Sequence, residues 1–305
     1  MSTDLFLTDS GLETELLYLD GTDLPDFAAF PLLRDPVGRE RLSRYYREHV
    51  EIADRAGVGT VLETPTWRAS TDWGDRLGYD AAALAEVGAD AVALLREAVA
   101  AVGPRVPVTV SGCLGPRGDG YDLTTRLTVG EAEAYHRPQI EALAAAGADQ
   151  VTALTMTHVE EAAGIVCAAA DAGVPVVISF TVETDGRLPS GAALADAVAA
   201  VDALTDGGAR HLGVNCAHPD HVREAFDRLG DVEPRVRFFR ANASRLSHAE
   251  LDQATVLDDG DPVELGAQMA ELRQRHPHLQ VLGGCCGTDA RHIAEIARAV
   301  GGGAA

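Results

Sequence analysis

Two adjacent cysteines lie in a glycine-rich segment near the end of the chain. Residues 283–288 read Gly-Gly-Cys-Cys-Gly-Thr, and a third cysteine, Cys216, directly follows Asn215. Three thiolate ligands with an open fourth position are typical of a catalytic zinc ion, whereas a structural site normally has four protein ligands. Soft sulfur ligands also favour zinc over magnesium or calcium. We therefore predict that Cys216, Cys285 and Cys286 bind Zn²⁺.

The other cysteines are expected to have different roles. Cys167 lies in an alanine-rich helical pattern and belongs to the core, whereas Cys113 is an isolated thiol after a predicted strand. Free cysteines are often buried as small apolar side chains, but a vicinal pair enclosed by glycines is a poor design for a packed core. His218 and His221, shortly after Cys216, leave a mixed cysteine and histidine site open, although solvated or capping roles are expected for both.

Short apolar, β-branched segments alternate with alanine-rich amphipathic segments along the chain. The predicted strands are residues 5–8, 59–64, 106–111, 149–154, 176–180, 211–215, 236–241 and 280–283. The predicted helices cover residues 40–56, 80–102, 129–146, 159–172, 192–205 and 219–229. This alternation is typical of parallel βαβ units. Eight such strands predict an α/β fold consisting of a single (β/α)8 barrel of the TIM type.

Glycines between the helices and the following strands support the barrel. Segments such as Ala-Gly-Val-Gly-Thr at residues 56–60 place glycine where a left-handed cap ends a helix. The competing fold is an open doubly wound sheet, but the glycine-rich phosphate turn typical of that fold is absent after the first strand. In a barrel, functional residues follow the carboxyl ends of the strands, and the positions of Cys216, Cys285 and Cys286 agree with this rule.

Composition narrows the class of protein. The 305 residues, 46% hydrophobic and 24% charged, suit one globular barrel domain over residues 1–305. The net charge of −22 argues against binding to nucleic acid or anionic membranes, because both favour basic surfaces. No apolar run approaches the roughly 20 residues that span a bilayer, so we expect a cytoplasmic protein. All basic residues are arginines, and the absence of lysine excludes Schiff-base aldolase chemistry.

Several motifs resemble those of the homocysteine S-methyltransferase family, which includes betaine- and S-methylmethionine-dependent enzymes. The chain has the family's G-G-C-C-G-T signature and an earlier G-x-N-C, here residues 213–216. Residues 9–16, Asp-Ser-Gly-Leu-Glu-Thr-Glu-Leu, resemble the family's first-strand motif, and residues 64–70 resemble the segment after its second strand. The resemblance covers residues 5–299 and implies a (β/α)8 barrel with zinc bound by Cys216, Cys285 and Cys286.

The resemblance also implies an activity, the transfer of a methyl group from a small onium donor to the zinc-bound thiolate of homocysteine, which gives methionine. Corrinoid- and folate-dependent members carry large additional domains, so S-methylmethionine or S-adenosylmethionine is the expected donor, followed by betaine. The face of Trp67 suits an onium methyl group. We expect the substrates to contact Asp9, Ser10, Gly11, Glu13, Thr66, Trp67 and Asn215.

One family residue is missing. The family commonly has a glutamate at the end of the fourth strand, where it helps to hold the amino group of homocysteine, but this chain has Leu154 and Thr155 there. Other groups must then bind an ammonium, and Asp9 and Glu13 are the nearest by the barrel geometry. Two further carboxylates near the predicted mouth, Glu15 and Glu63, have the same chemistry.

Three alternatives remain open. In the first, the acceptor is a thiol other than homocysteine, and the zinc chemistry is unchanged. In the second, the chain is a zinc-dependent hydrolase or lyase, although such sites generally use histidine and carboxylate ligands. The third alternative is a redox or metal sensor in which Cys285 and Cys286 form a vicinal disulfide and release zinc. The sequence leaves the oligomeric state open.

Overall fold

A closed barrel of eight parallel strands forms the centre of the molecule in the computed structural model, which describes residues 5–120 and 124–301. The strands are β1 (Phe6–Thr8), β2 (Gly59–Glu63), β3 (Val108–Leu114), β4 (Gln150–Met156), β5 (Val176–Phe180), β6 (His211–Ala217), β7 (Val236–Ala241) and β8 (Val281–Gly284). Strand β1 closes the barrel, because Phe6 pairs with Gly59 on one side and Val281 on the other. The predicted (β/α)8 fold is confirmed, and the open doubly wound alternative is wrong.

The helices surround the barrel. They are α1 (Leu12–Thr14), α2 (Pro36–Ala56), α3 (Thr71–Leu77), α4 (Ala81–Val102), α5 (Val129–Ala145), α6 (Val159–Ala172), α7 (Leu194–Thr205), α8 (Pro219–Asp227), α9 (His248–Asp252), α10 (Pro262–Arg275) and α11 (Ala290–Gly301). A π-helical turn (Glu15–Leu19) and three 3₁₀ turns (Pro25–Phe27, Phe30–Arg34 and Gly230–Arg235) complete the helical segments. Among the described residues, none of the helices has the length and apolar character of a membrane span.

The ends of α2 illustrate how the local sequence sets the elements. Asp35 accepts a hydrogen bond from the backbone N–H of Gly38, and Pro36 occupies the first turn, where its missing N–H is not needed. Gly57 ends the helix with a φ of 69°, a conformation that residues with a side chain rarely adopt. Strand β2 starts two residues later, so this cap fixes the position of Glu63 at the other end of β2.

The core has an outer and an inner part. A large apolar cluster fills the layer between the strands and the helices. A smaller cluster inside the barrel includes Val177 and Phe238. Four polar side chains at or just after the carboxyl ends of strands are buried as well, and each is at most 5% exposed: Asp9, Glu63, Asn215 and Arg240. The polar end of the barrel is therefore where a site can form.

Strand β6 has no room for a side chain at Gly213. A Cβ atom there would overlap the carbonyl oxygen of Phe238 and lie 2.5 Å from its Cβ atom. We expect Gly213→Ala to lower the free energy of unfolding by about 1–3 kcal/mol in chemical denaturation, because overpacking forces the backbone apart. Gly130→Ala in α5 is the control, since nothing lies within 4 Å of the new Cβ atom, and helix propensity predicts a gain of up to about 1 kcal/mol. Equal effects of the two substitutions would contradict the close approach of β6 and β7.

Candidate metal and substrate site

The three predicted metal ligands lie together at the carboxyl ends of β6 and β8. The Sγ atom of Cys216 lies 3.4 Å from that of Cys286 and 3.3 Å from that of Cys285, and all three sulfur atoms lie within 4.8 Å of one another. Tetrahedral zinc with Zn–S bonds of about 2.3 Å separates its sulfur ligands by ~3.8 Å. The thiols are thus already spaced for a shared metal ion. His218 is not among them, because its ring accepts a hydrogen bond from Asp220 N–H as the cap of α8.

The backbone at Cys216 is held in an unusual conformation. Its φ of 59° is in the left-handed region, which costs of order 1–3 kcal/mol for a non-glycine residue and persists only where the surroundings enforce it. The ring Nε2 of His248 bonds to the carbonyl oxygen of Cys216 at 2.6 Å. His248, the first residue of α9, thus contacts the backbone of a predicted metal ligand.

The first-strand loop passes directly over Cys285. A Cβ atom at Gly11 would overlap the carbonyl oxygen of Cys285, and the N–H of Cys285 donates to the carbonyl of Ala241 at 2.7 Å. Hydrogen bonding with the thiols of Cys216 and Cys286, together with the charge of Arg240, holds the pKa of Cys285 well below its usual value. The surroundings of Cys285 therefore stabilise a thiolate.

A buried ion pair lies beneath the cysteines. Arg240 Nη2 lies 2.6 Å from Asp9 Oδ1, and the two side chains are 5% and 3% exposed. Asp9 Oδ2 also accepts the N–H of Glu63 at 2.8 Å, while Arg240 donates to the carbonyls of Ser10 at 2.7 Å and Gly284 at 2.8 Å. Both oxygens of Asp9 thus have protein partners. The contact of Asp9 with a substrate ammonium remains a prediction, and the ion pair with Arg240 would compete with it.

A cavity of about 590 Å³ opens over the cysteines. All predicted metal and substrate residues except Thr66 line it. Thr66 is 1% exposed, donates to the carbonyl of Cys113 at 2.8 Å, and bonds to the hydroxyl of Thr64 at 2.7 Å, so it shapes the wall from behind. The hydroxyl of Ser10 likewise bonds to Tyr45 at 3.2 Å, on the far side of the loop. Thr66 is therefore not among the residues that line the cavity, and its contact with a substrate remains a prediction.

Asn215 connects the end of β4 to the cysteines. Its side-chain oxygen accepts the N–H of Thr155 at 2.8 Å, and its Nδ2 donates to the hydroxyl of Thr155 at 2.9 Å and to the sulfur of Cys285 at 3.8 Å. Thr155 has a φ of 63°, and its neighbour Leu154 lines the cavity. The end of β4 therefore presents an apolar side chain to the cavity, as the sequence indicated.

Aromatic residues form another part of the wall. The guanidinium carbon of Arg68 lies 4.5 Å from the ring centroid of Trp67 and 3.7 Å from that of Trp73. Arg68 also pairs with Asp119 at 3.3 Å. One cation thus already contacts Trp67, and a bound onium group would have to use ring surface that Arg68 leaves free.

Two glutamates of the cavity are desolvated. Burial raises the pKa of Glu13 to about 7, and burial also raises the pKa of Glu63 to about 7 against the opposing effect of Arg240. Each carboxylate favours a bound cation, since a nearby positive charge stabilises its ionised form. Glu15, which the sequence placed near the mouth, does not line the cavity. Glu13 and Glu63 are therefore the two glutamates that line the cavity, beside aspartates that include Asp252 and Asp258.

Removing the charge of Asp9 tests the ion pair. Asp9→Asn leaves Arg240 buried without its counter-ion, and we expect a loss of about 3–5 kcal/mol in the free energy of unfolding. Asp20→Asn, which breaks the exposed pair with Arg44, should cost at most about 1 kcal/mol in the same denaturant titration. If Asp9→Asn retained full stability while weakening acceptor binding, Asp9 would be a substrate ligand rather than a structural anion.

Comparison with known proteins agrees with this geometry. A model of the homocysteine S-methyltransferase family matches residues 6–300. Homocysteine S-methyltransferase of Escherichia coli (strain K12) is 28% identical over 96% of this chain and 94% of its own length, and methionine synthase of Mycobacterium leprae (strain TN) is 31% identical over 42% of this chain and 10% of its own length. The solved structure of the homocysteine methyltransferase MmuM from E. coli in its metallated form shares the fold, with a TM-score of 0.76 and 23% identity over 97% of this chain and 96% of that one. Because the family model covers almost the whole sequence, this chain belongs to the homocysteine S-methyltransferase family.

Proposed function

We propose that this chain is a zinc-dependent methyltransferase that moves a methyl group from a small onium donor to the sulfur of homocysteine and so forms methionine. The observation that carries the proposal is the convergence of three thiols at the floor of a cavity, at the spacing that one zinc ion requires. Family membership and the similarity to the E. coli enzyme support the same reaction.

Cys216, Cys285 and Cys286 would hold the metal, and their soft donor set favours zinc. When bound, zinc deprotonates a coordinated thiol at neutral pH and orients it. The chain's own contribution is to fix the three ligands: His248 holds the backbone of Cys216, and Asn215 reaches the sulfur of Cys285. These contacts hold the set in place before an acceptor arrives, which lowers the cost of binding it.

Methyl transfer is balanced without a general acid. The acceptor sulfur forms a bond to the methyl carbon, and the bond from that carbon to the donor's onium atom breaks, so that the electron pair leaves with a neutral sulfide or amine. The proton of the acceptor thiol has left before this step. The residues of the cavity therefore need only to align the two substrates and exclude water, and near-attack alignment is itself worth several orders of magnitude in rate.

The charge distribution supports a cationic donor. Glu13 and Glu63 line the cavity, and Arg240 is already paired with Asp9. The acidic surplus favours a positively charged ligand, which a sulfonium or quaternary ammonium donor provides. S-methylmethionine and S-adenosylmethionine fit this description best, and betaine is the next candidate.

Another thiol is the second candidate for the acceptor. The specific observation in its favour is Leu154, an apolar residue lining the cavity where the family usually has an acidic one. A different acceptor would leave the three cysteines and their reaction unchanged.

Substituting the cysteines one at a time tests the metal site. We expect loss of the zinc and of the activity in each of three variants, Cys216→Ala, Cys285→Ala and Cys286→Ala. Two remaining thiols provide too few protein ligands to retain the zinc ion. Zinc per chain is measured by mass spectrometry of protein passed through a chelating column. Cys167→Ala, half-buried and outside the cavity, is the matched control and should retain both. A metal-replete and active Cys285→Ala protein would refute the assignment.

The substrates are tested by a panel of three donors against homocysteine and other thiols, with the methylated products identified by mass spectrometry. We expect methionine from homocysteine with a sulfonium donor, and no requirement for an added corrinoid or folate. Turnover that appears only after a corrinoid protein is added would contradict the proposed donor. Methylation of another thiol but not of homocysteine would establish the second candidate instead.

A further inference from the structure

Glu63 brings a buried carboxylate to the wall of the cavity. It ends strand β2, is 5% exposed, and neither of its side-chain oxygens has a hydrogen bond of good geometry within the described part of the chain. The hydroxyls of Ser111 and Thr152 are close enough to lower the pKa of Glu63, but they bond to each other at 2.8 Å. A buried carboxylate that lacks donors is costly, so such a group in a cavity points to a ligand that provides them.

The position of Glu63 is firmly set. Its N–H donates to Asp9 Oδ2 at 2.8 Å, and its carbonyl accepts the hydroxyl of the buried Tyr46 at 2.9 Å. These bonds fix the backbone of Glu63 at both its N–H and its carbonyl group. The carboxylate is therefore held at the end of β2, on the wall of the cavity.

The arginines that line the cavity in the described part of the chain already have other anionic partners. Arg240 lowers the pKa of Glu63, but Arg240 forms its ion pair with Asp9. Arg68 contacts the two tryptophans and Asp119, and Arg76 pairs with Asp26. The pair of Arg240 and Asp9 is neutral as a unit, so the charge of Glu63 remains for a ligand to compensate.

The chemistry of a carboxylate with two free oxygens selects the kind of cation. An ammonium group has three N–H donors and can satisfy both oxygens, whereas a sulfonium or quaternary ammonium centre has no hydrogen to donate. The onium centre of the donor therefore cannot provide hydrogen bonds to the carboxylate of Glu63. The α-ammonium group of an amino acid can provide them.

We infer that Glu63 binds the α-ammonium group of an amino-acid thiol acceptor, in place of an acidic residue at the end of β4, where this chain has Leu154. The inference rests on the proposed function. Arg240 offers a hydrogen-bond donor to the acceptor's carboxylate. Its Nη1 is buried and has no hydrogen-bond partner among the described residues. Strands β2 and β7 thus present a carboxylate and an unsatisfied guanidinium N–H donor to the same cavity, which suits the ammonium and carboxylate groups of an amino acid.

Two acceptors that differ only in the amino group separate this role from a structural one. Homocysteine and 4-mercaptobutanoate are compared at saturating donor with the zinc-loaded enzyme. Glu63→Gln should raise the KM for homocysteine by about ten- to a hundredfold, because it removes a hydrogen bond to a charged group, while kcat and the KM for 4-mercaptobutanoate change little. Glu15→Gln is the matched control: it neutralises another glutamate whose pKa burial raises to about 7, but outside the cavity, and it should alter neither KM.

The pH dependence of the unsubstituted enzyme gives a second readout that needs no variant. Only the ionised carboxylate binds an ammonium strongly, and the pKa of Glu63 in the empty cavity is about 7. The ratio of the homocysteine KM to the 4-mercaptobutanoate KM should therefore fall as the pH rises through 7. The measurement is kept below about pH 8, where both thiols are mostly protonated in solution and their ionisation changes the two KM values in parallel.

Several results would overturn the inference. An equal response of both acceptors to Glu63→Gln, or a ratio that is flat across pH 7, would make Glu63 structural. A rise in the KM for the donor alone would place the donor's ammonium at Glu63 instead. If the unsubstituted enzyme methylates no thiol, the proposed function fails separately, and titration calorimetry with homocysteine still decides whether Glu63→Gln weakens binding.

Discussion

The buried ion pair of Asp9 and Arg240 links the parts of the site. Arg240, from β7, reaches Asp9, the carbonyl of Ser10 and the carbonyl of Gly284 directly before the paired cysteines. Asp9 in turn fixes the N–H of Glu63. Four strands are therefore tied together below the metal ligands by one pair of charges that water does not screen.

The charged groups of the site have two different roles, one structural and one in binding ligands. Asp9 and Arg240 compensate each other's charge, so Glu13 and Glu63 contribute to the acidic character of the cavity. The three thiols lie beside it and offer a soft ligand set for the proposed zinc. A cationic methyl donor and an amino-acid thiol both fit such a cavity, and neither requires a protein group that transfers protons.

The sequence allowed the fold and the convergence of the three cysteines to be predicted because both follow from patterns along the chain. Glycine caps and alternating segments set the barrel, and Cys285 and Cys286 lie beside each other directly after a strand. The partners of Asp9 and the orientation of Thr66 could not be predicted, since they depend on contacts between distant strands. Arg240 was missed, although an arginine two residues after the inward-facing Phe238 was a usable signal.

X-ray absorption at the zinc edge tests the central claim most directly, namely that three cysteines hold a metal ion whose fourth position receives the acceptor thiol. The zinc-loaded protein should show three sulfur neighbours near 2.3 Å and one lighter neighbour. Addition of homocysteine should raise the sulfur count to four. Four sulfur ligands without an acceptor, or a count that stays at three when homocysteine is saturating, would contradict this account.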